Sequence, residues 1–186
     1  MLIRGVPWKQ YLILRETLDT PGVRMTYCEG VLEIMAPSRA HEQNKKMVAR
    51  LIELYAFLRR LPLHGYGSTT FRSEALARGA EPDECWCVGA PMTEAGFPDL
   101  VLEVIQSSPI LDKLHIYEGF AISEVWLLQQ GVIEIHKRNS EGGYDHASSS
   151  LLLPGLDLTL VARFVGREDQ DVALQEFAAE LGYRAG

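Results

Sequence analysis

The sequence predicts an α/β protein of the α+β kind, with a mixed β-sheet flanked by helices and an N-terminal β-hairpin. Three observations carry this. Runs of alternating apolar and polar residues recur along the chain, as half-buried strands require. One long segment between them has apolar residues at helical spacing. Two adjacent apolar runs are joined through a short helical segment, the connection a parallel pair needs, whereas the other neighbours are joined by tight turns that suit antiparallel pairs.

In chain order, "VPWKQYLILRETL" (6–18) is a short helix stopped by the turn "DTPG". In "VRMTYCEGVLEIMAP" two alternating runs flank Glu29-Gly30, which makes a hairpin. Ser38 is a good N-cap and opens a helix to about Arg60, with Met47, Leu51, Leu54, Tyr55 and Leu58 on its core face. Lys45, Lys46 and Arg50 fall off that stripe and are expected in solvent. "TTFRSEA", "DECWCV" and "DLVLEVIQ" are strands, the last two separated by the turn-rich "GAPMTEAGFP". "ILDKLHIYEGF" is a short helix, and "ISEVWLLQ" and "GVIEIHKR" are strands. "GGYDHASSSLLLPGLDLTL" is expected to supply edge strands and a turn, and "REDQDVALQEFAAELGY" a closing amphipathic helix.

At 186 residues the chain suits one domain, expected to span 1–186, whose core needs neither disulfides nor a structural metal. With 47% hydrophobic and 23% charged residues it is globular, and no apolar run is long enough to cross a bilayer, so no membrane partner is expected. The N-terminus lacks the continuous apolar stretch of a signal peptide, and of the three cysteines Cys85 and Cys87 share one strand where they cannot bridge. A cytoplasmic protein with buried thiols is the expectation, since a zinc site at Cys85-x-Cys87 lacks its other ligands. "GYGSTT" near residue 65 lacks the Lys and following helix of a phosphate loop. The net charge of −7 has the wrong sign for coating nucleic acid by bulk electrostatics. It leaves open an enzyme that holds a divalent cation in a carboxylate pocket, because the ion then brings the local positive charge.

The chemistry lies in the acidic strands. Side chains alternate along a strand, so Asp83 shares a face with Cys85 and Cys87, and Glu103 shares one with Asp99 and Val101. Each strand therefore carries a carboxylate on an apolar face, where a charge is costly unless something pairs or coordinates it. Asp99 and Glu103 lie roughly 13 Å apart along a straight strand and cannot chelate one ion. Neighbouring strands are only about 4.8 Å apart, so pairing of the two strands brings Asp83 and Glu103 around one hard cation. Mg2+ or Mn2+ suits such a site, with the carbonyl of Val104 a candidate further donor, and a nearby Lys, for which Lys113 is the candidate, would assist the water or the developing anion.

With Pro82-Asp83 followed by Glu103, the segment resembles the PD-(D/E)XK nuclease superfamily. More narrowly, the chain resembles the Uma-type putative restriction endonucleases. The match is carried by Glu29-Gly30 in the hairpin, His41 at the start of the long helix, Pro82-Asp83, "PDLVLEV", Lys113 three residues before "IYEGFAISEVW", and Trp126. This resemblance implies a restriction-endonuclease-like fold and metal-dependent hydrolysis of DNA phosphodiesters, with Asp83 and Glu103 binding the ion, Lys113 assisting, and His41 with Glu29 supporting the pocket. A symmetric dimer is expected by analogy, because cutting both strands is easiest with two active sites. One departure stands out. The position two residues after the acid, where the superfamily carries its Lys, is Ile105, so the Lys must come from another element, and Lys113 matches one that the Uma-type proteins carry on the following helix.

Each residue also has an ordinary reading. Asp83 could cap a strand end, Glu103 could pair with an Arg, Lys113 could be a solvated helix residue, and His41, Glu29 and Tyr117 could be surface or packing residues. Asp99 follows a Pro at a strand start, where Asp often satisfies backbone amides. A catalytically degenerate relative that binds DNA or a protein partner is the rival to the nuclease, motivated by Ile105 and the acidic net charge.

Overall fold

The computed structural model describes residues 1–18, 20, 22–106 and 111–183. Residues 19 and 21 of the "DTPG" turn, 107–110 of the connection before Lys113, and the last three residues of the expected 1–186 span lie outside them. The described chain is α+β, as the sequence predicts. Its elements run β1 (Leu2–Arg4), α1 (Trp8–Thr17), β2 (Arg24–Cys28), β3 (Val31–Met35), α2 (Arg39–Arg59), β4 (Leu63–Gly65), β5 (Phe71–Ser73) and β6 (Arg78–Ala80). They continue with β7 (Glu84–Val88), β8 (Leu100–Ile105), α3 (Lys113–Gly119), β9 (Glu124–Gln129), β10 (Val132–Arg138), β11 (Tyr144–Ala147), α4 (Leu158–Phe164) and α5 (Gln170–Glu180).

The strands divide between two sheets. One is five-stranded and antiparallel, in the order β1-β3-β2-β6-β5, and grows from the predicted hairpin. The other is six-stranded, in the order β11-β10-β9-β8-β7-β4. Only β8 and β9 run parallel within it, and α3 lies on the connection between them, as a parallel crossover demands.

Helix α2 begins where Ser38 predicts: its Oγ accepts from the His41 backbone N–H at 3.1 Å. The helix is buried on more than the predicted stripe. Beside Met47, Leu51 and Tyr55, a second line of His41, Lys45, Val48 and Ile52 is also covered. Lys45, expected in solvent, is therefore buried, and its Nζ meets Glu42 Oε2 at 2.7 Å. Lys46 is exposed, and Arg50 is half-buried against Gln170 and Asp171.

The tail of the predicted edge-strand region is a helix instead. Asp157 accepts from the backbone N–H groups of Thr159 and Leu160 at 2.8 and 3.2 Å, and Leu158, Val161 and Phe164 then fall on one buried helical face. The Asp157 cap and the helical spacing of the apolar residues outweigh the strand preference of the β-branched Thr159.

The six-stranded sheet is buried on both faces. One face, with Trp86, Leu100, Leu102 and Trp126, packs with α2, α4 and α5. The opposite face, with Cys85, Val101 and Val125, packs with Ile116 and Tyr117 of α3 and with Cys28, Phe71 and Ala80 of the five-stranded sheet. Each fully buried large apolar side chain contributes about 1.5–3 kcal/mol, so this core can tolerate a few buried charges. Several of them, Glu33, Asp83, Glu103 and Lys113, line one pocket where the two sheets meet.

Candidate active site

The register of β7 and β8 creates the site. Glu84 pairs with Leu102, Cys85 with Val101 and Trp86 with Leu100, and the Asp83 backbone N–H donates to the Leu102 carbonyl at 3.1 Å. Continuing that register sets Asp83 opposite Glu103, on the face covered by α3 and the five-stranded sheet. Asp83 Oδ2 accepts from the Val104 backbone N–H at 2.8 Å and lies 3.0 Å from His41 Nε2. Glu103 Oε1 lies 3.2 Å from Lys113 Nζ and also accepts a hydrogen bond from the Tyr117 hydroxyl. Lys113 Nζ reaches across to Thr26 Oγ1 of β2 at 3.4 Å.

Three different elements thus deliver partners to one strand pair: α2 brings His41, α3 brings Lys113 and Tyr117, and the hairpin brings Thr26. Asp112 caps α3 by accepting from the Leu114 and His115 backbone N–H groups, which turns the first residue of the helix, Lys113, inward. Asp83, Glu103, His41 and Lys113 are each less than a tenth exposed. They line a pocket of about 290 Å³ together with Glu33, Ser38 and Val104.

The electrostatics follow from burial and proximity. Burial pushes the Glu103 carboxyl above the usual carboxylate range; Lys113 pulls it back and the Asp83 charge adds to the rise. For Lys113, burial works against the ammonium, but the Glu103 and Asp83 carboxylates outweigh it and hold the proton on. His41 behaves similarly: burial disfavours its charge, while the hydrogen bond and charge of Asp83 raise its pKa overall. Burial and the neighbouring Glu103 raise Tyr117 well above an ordinary phenol, so it remains a donor.

The donor set fits a hard divalent cation. Each carboxylate commits one oxygen to protein partners, Oδ2 of Asp83 and Oε1 of Glu103, and among the described residues neither Asp83 Oδ1 nor Glu103 Oε2 has a hydrogen-bond partner. Two buried carboxylates with one free oxygen apiece, across one strand pair, are what Mg2+ or Mn2+ needs from a protein that leaves other positions to water and phosphate.

The structure brings Asp83, Glu103, Lys113 and His41 together and leaves Glu29 out of the pocket lining. Glu29 occupies the hairpin turn at φ 48°, 3.3 Å from Arg78 Nη2 and 3.5 Å from His115 Nε2. Cys28, Glu29 and His115 place ligand atoms within 4.8 Å of one another, but the Arg78 guanidinium already stands among them as their cation, 3.1 Å from His115 Nε2. Ile105 is half-buried at the pocket rim and the Lys arrives from α3. Asp99 has the backbone role expected of it, accepting from the Val88 N–H at 2.8 Å.

Glu33 is the pocket residue that sequence reasoning missed. Its signal was present: "VLEIM" places a Glu within an apolar strand just as "VLEVI" places Glu103. Applying the same rule to the hairpin would have found it.

The Uma2 family model, described as putative restriction endonuclease, matches residues 8–168. The chain belongs to the Uma2 family. The five ionisable pocket side chains, Glu33, His41, Asp83, Glu103 and Lys113, lie inside the Uma2 match. The fold is also similar to the crystal structure of a putative nuclease belonging to DUF820 from Anabaena variabilis ATCC 29413, with a TM-score of 0.52 and 14% identity over 80% of this chain and 98% of that one. At that identity the likeness is one of fold. No curated protein matches the chain.

Among the described residues no helix is long and apolar enough to cross a membrane. Their three cysteines are buried and free.

Proposed function

We propose that this Uma2-family chain is a divalent-metal-dependent endonuclease that hydrolyses DNA phosphodiester bonds. The observation that carries the reading is the Asp83–Glu103 pair: two buried carboxylates opposite each other, each with an oxygen free, and a buried ammonium 3.2 Å from one of them. The family's description as restriction endonuclease and the structural neighbour's as nuclease support the same class.

Asp83 and Glu103 would hold Mg2+ or Mn2+, which supplies a Lewis acid for a phosphoryl oxygen. His41 and the Val104 N–H fix Asp83 through Oδ2, so its other oxygen is presented without loss of rotamer freedom on binding. Tyr117 and Lys113 fix Glu103 in the same way. The Lys113 ammonium, kept charged by the two carboxylates, is a donor for the attacking water or for charge developing on the phosphoryl group. A cytoplasmic setting agrees with three free buried thiols, and a homodimer would cut both strands of a duplex.

The test is cleavage of supercoiled plasmid and labelled duplex with Mg2+ or Mn2+, beside Asp83→Asn, Glu103→Gln and a chelator control. Loss of cutting in both variants and in chelator is expected. Equal cutting by wild type and variants would remove the site assignment.

Ile105 supports a second reading, a non-catalytic DNA binder. It predicts salt-sensitive DNA binding in chelator with no turnover under any divalent ion.

A further inference from the structure

Among the pocket carboxylates of the described residues, Glu33 alone has an unpartnered oxygen that is itself fully buried. Only 4% of the residue is exposed, and its Oε2 is buried with no hydrogen-bond partner among the described residues. A carboxylate buried without partners is unfavourable, so an unsatisfied one facing a pocket marks a place for a ligand that carries positive charge.

The charge balance in the pocket points the same way. Glu33, Asp83 and Glu103 supply three buried carboxylates, against one buried ammonium, Lys113, and one imidazole, His41. Lys113 is already engaged with Glu103 and Thr26, and His41 with Asp83. The α-amino group of Met1, at the exposed rim, donates to the Ile34 carbonyl. Among the described residues Glu33 has no ion pair of its own, and Lys113, which feels its charge, is already held by Glu103 and Thr26.

Glu33 also differs in origin. It projects from β3 of the five-stranded sheet, opposite Thr26 in the register, whereas Asp83 and Glu103 belong to the edge between β7 and β8 of the other sheet. Thr26 is the residue that Lys113 Nζ approaches at 3.4 Å, which puts this part of the hairpin next to the acidic pair.

We propose that Glu33 is a third carboxylate ligand of the cation held by Asp83 and Glu103, so that the bound ion ties the two sheets together. The proposal rests on the cation-binding reading above and extends it. Metal binding then acts on stability as well as chemistry, because the ion is shared between the hairpin and the β7–β8 strand pair.

The experiment needs no DNA. Mn2+ is titrated calorimetrically and by electron paramagnetic resonance into wild type, Glu33→Gln, Glu33→Asp, Asp83→Asn, Glu103→Gln and the exposed control Glu141→Gln, and each protein is melted with and without Mn2+. Glu33→Gln is expected to weaken Mn2+ binding by about 10- to 100-fold, to lose most of the Mn2+-induced rise in Tm, and to melt no lower than wild type without metal. Glu33→Asp, which keeps the charge, should bind more tightly than Glu33→Gln, and Glu141→Gln should bind as wild type does.

Wild-type Mn2+ affinity in Glu33→Gln, with binding lost in Asp83→Asn and Glu103→Gln, overturns this proposal alone. So does a lowered metal-free Tm with unchanged affinity, which would make Glu33 a structural partner of Lys113. Should Glu33→Gln fail to fold, Glu33→Met, which also lacks the carboxylate, decides: an affinity equal to wild type overturns the proposal and a weakened one upholds it. No Mn2+ binding to the wild type overturns both this proposal and the cation reading beneath it.

Discussion

Lys113 Nζ lies 3.2 Å from Glu103 Oε1, although Glu103 is on a central strand and Lys113 opens the helix that follows it. The ammonium that Ile105 does not supply is brought to Glu103 by the crossover helix. Lys113→Met is expected to lower the cleavage rate about 10²- to 10³-fold without weakening Mn2+ binding, because the ammonium opposes a cation at that place. Single-turnover cleavage of a labelled duplex beside a Mn2+ titration checks both halves, and an unchanged rate would return Lys113 to a structural role.

Tyr117→Phe removes one hydroxyl and keeps the ring volume. The hydroxyl donates to the buried carboxylate of Glu103, so its loss should cost about 1.5–3 kcal/mol in chemical denaturation of the metal-free protein, with the slope unchanged. A cost below about 0.5 kcal/mol, the range of ordinary surface changes, would mean that the bond contributes nothing net.

Glu124 is a buried carboxylate of another kind, fully satisfied and away from the pocket. It accepts from Trp126 Nε1 at 3.0 Å, Ser150 Oγ at 2.7 Å and the backbone N–H groups of Leu151 and Leu152 at 2.7 and 3.3 Å. Glu124→Ala would strand these donors and release residues 150–152 from β9. A loss of about 2–4 kcal/mol is expected in equilibrium unfolding, with faster amide exchange at Leu151 and Leu152.

Alkaline pH should destabilise the fold. Burial pushes the Cys85 thiol from 9.0 up to about 12 and the Tyr11 phenol from 10.0 up to about 12. Both folded pKa values are raised, so the neutral groups favour the native state fully below the unfolded values, and that contribution is lost as pH rises from 9.0 toward about 12. Tm measured against pH should be level near neutrality and fall through this window, and a thiol reagent at neutral pH should react with Cys85 only after unfolding. A Tm that held constant across the window would contradict the burial of these groups.

The sequence by itself determined the elements whose signals are local. Ser38 opens α2 because its own side chain caps the helix, and Glu29-Gly30 makes the hairpin because the turn needs positive φ. Asp83 and Glu103 were legible as candidate ligands because alternation along a strand is a property of the chain alone, and a carboxylate in an apolar run is conspicuous wherever it occurs.

Tertiary structure decided what depends on two segments meeting. The division of strands into two sheets, the burial of Lys45, the arrival of Lys113 in place of a Lys at Ile105, and the entry of Glu33 rather than Glu29 into the pocket all come from long-range packing. The physical reason is that a periodic pattern says which face of an element is buried, while the identity of the group facing it is set by register and by the partner that covers it.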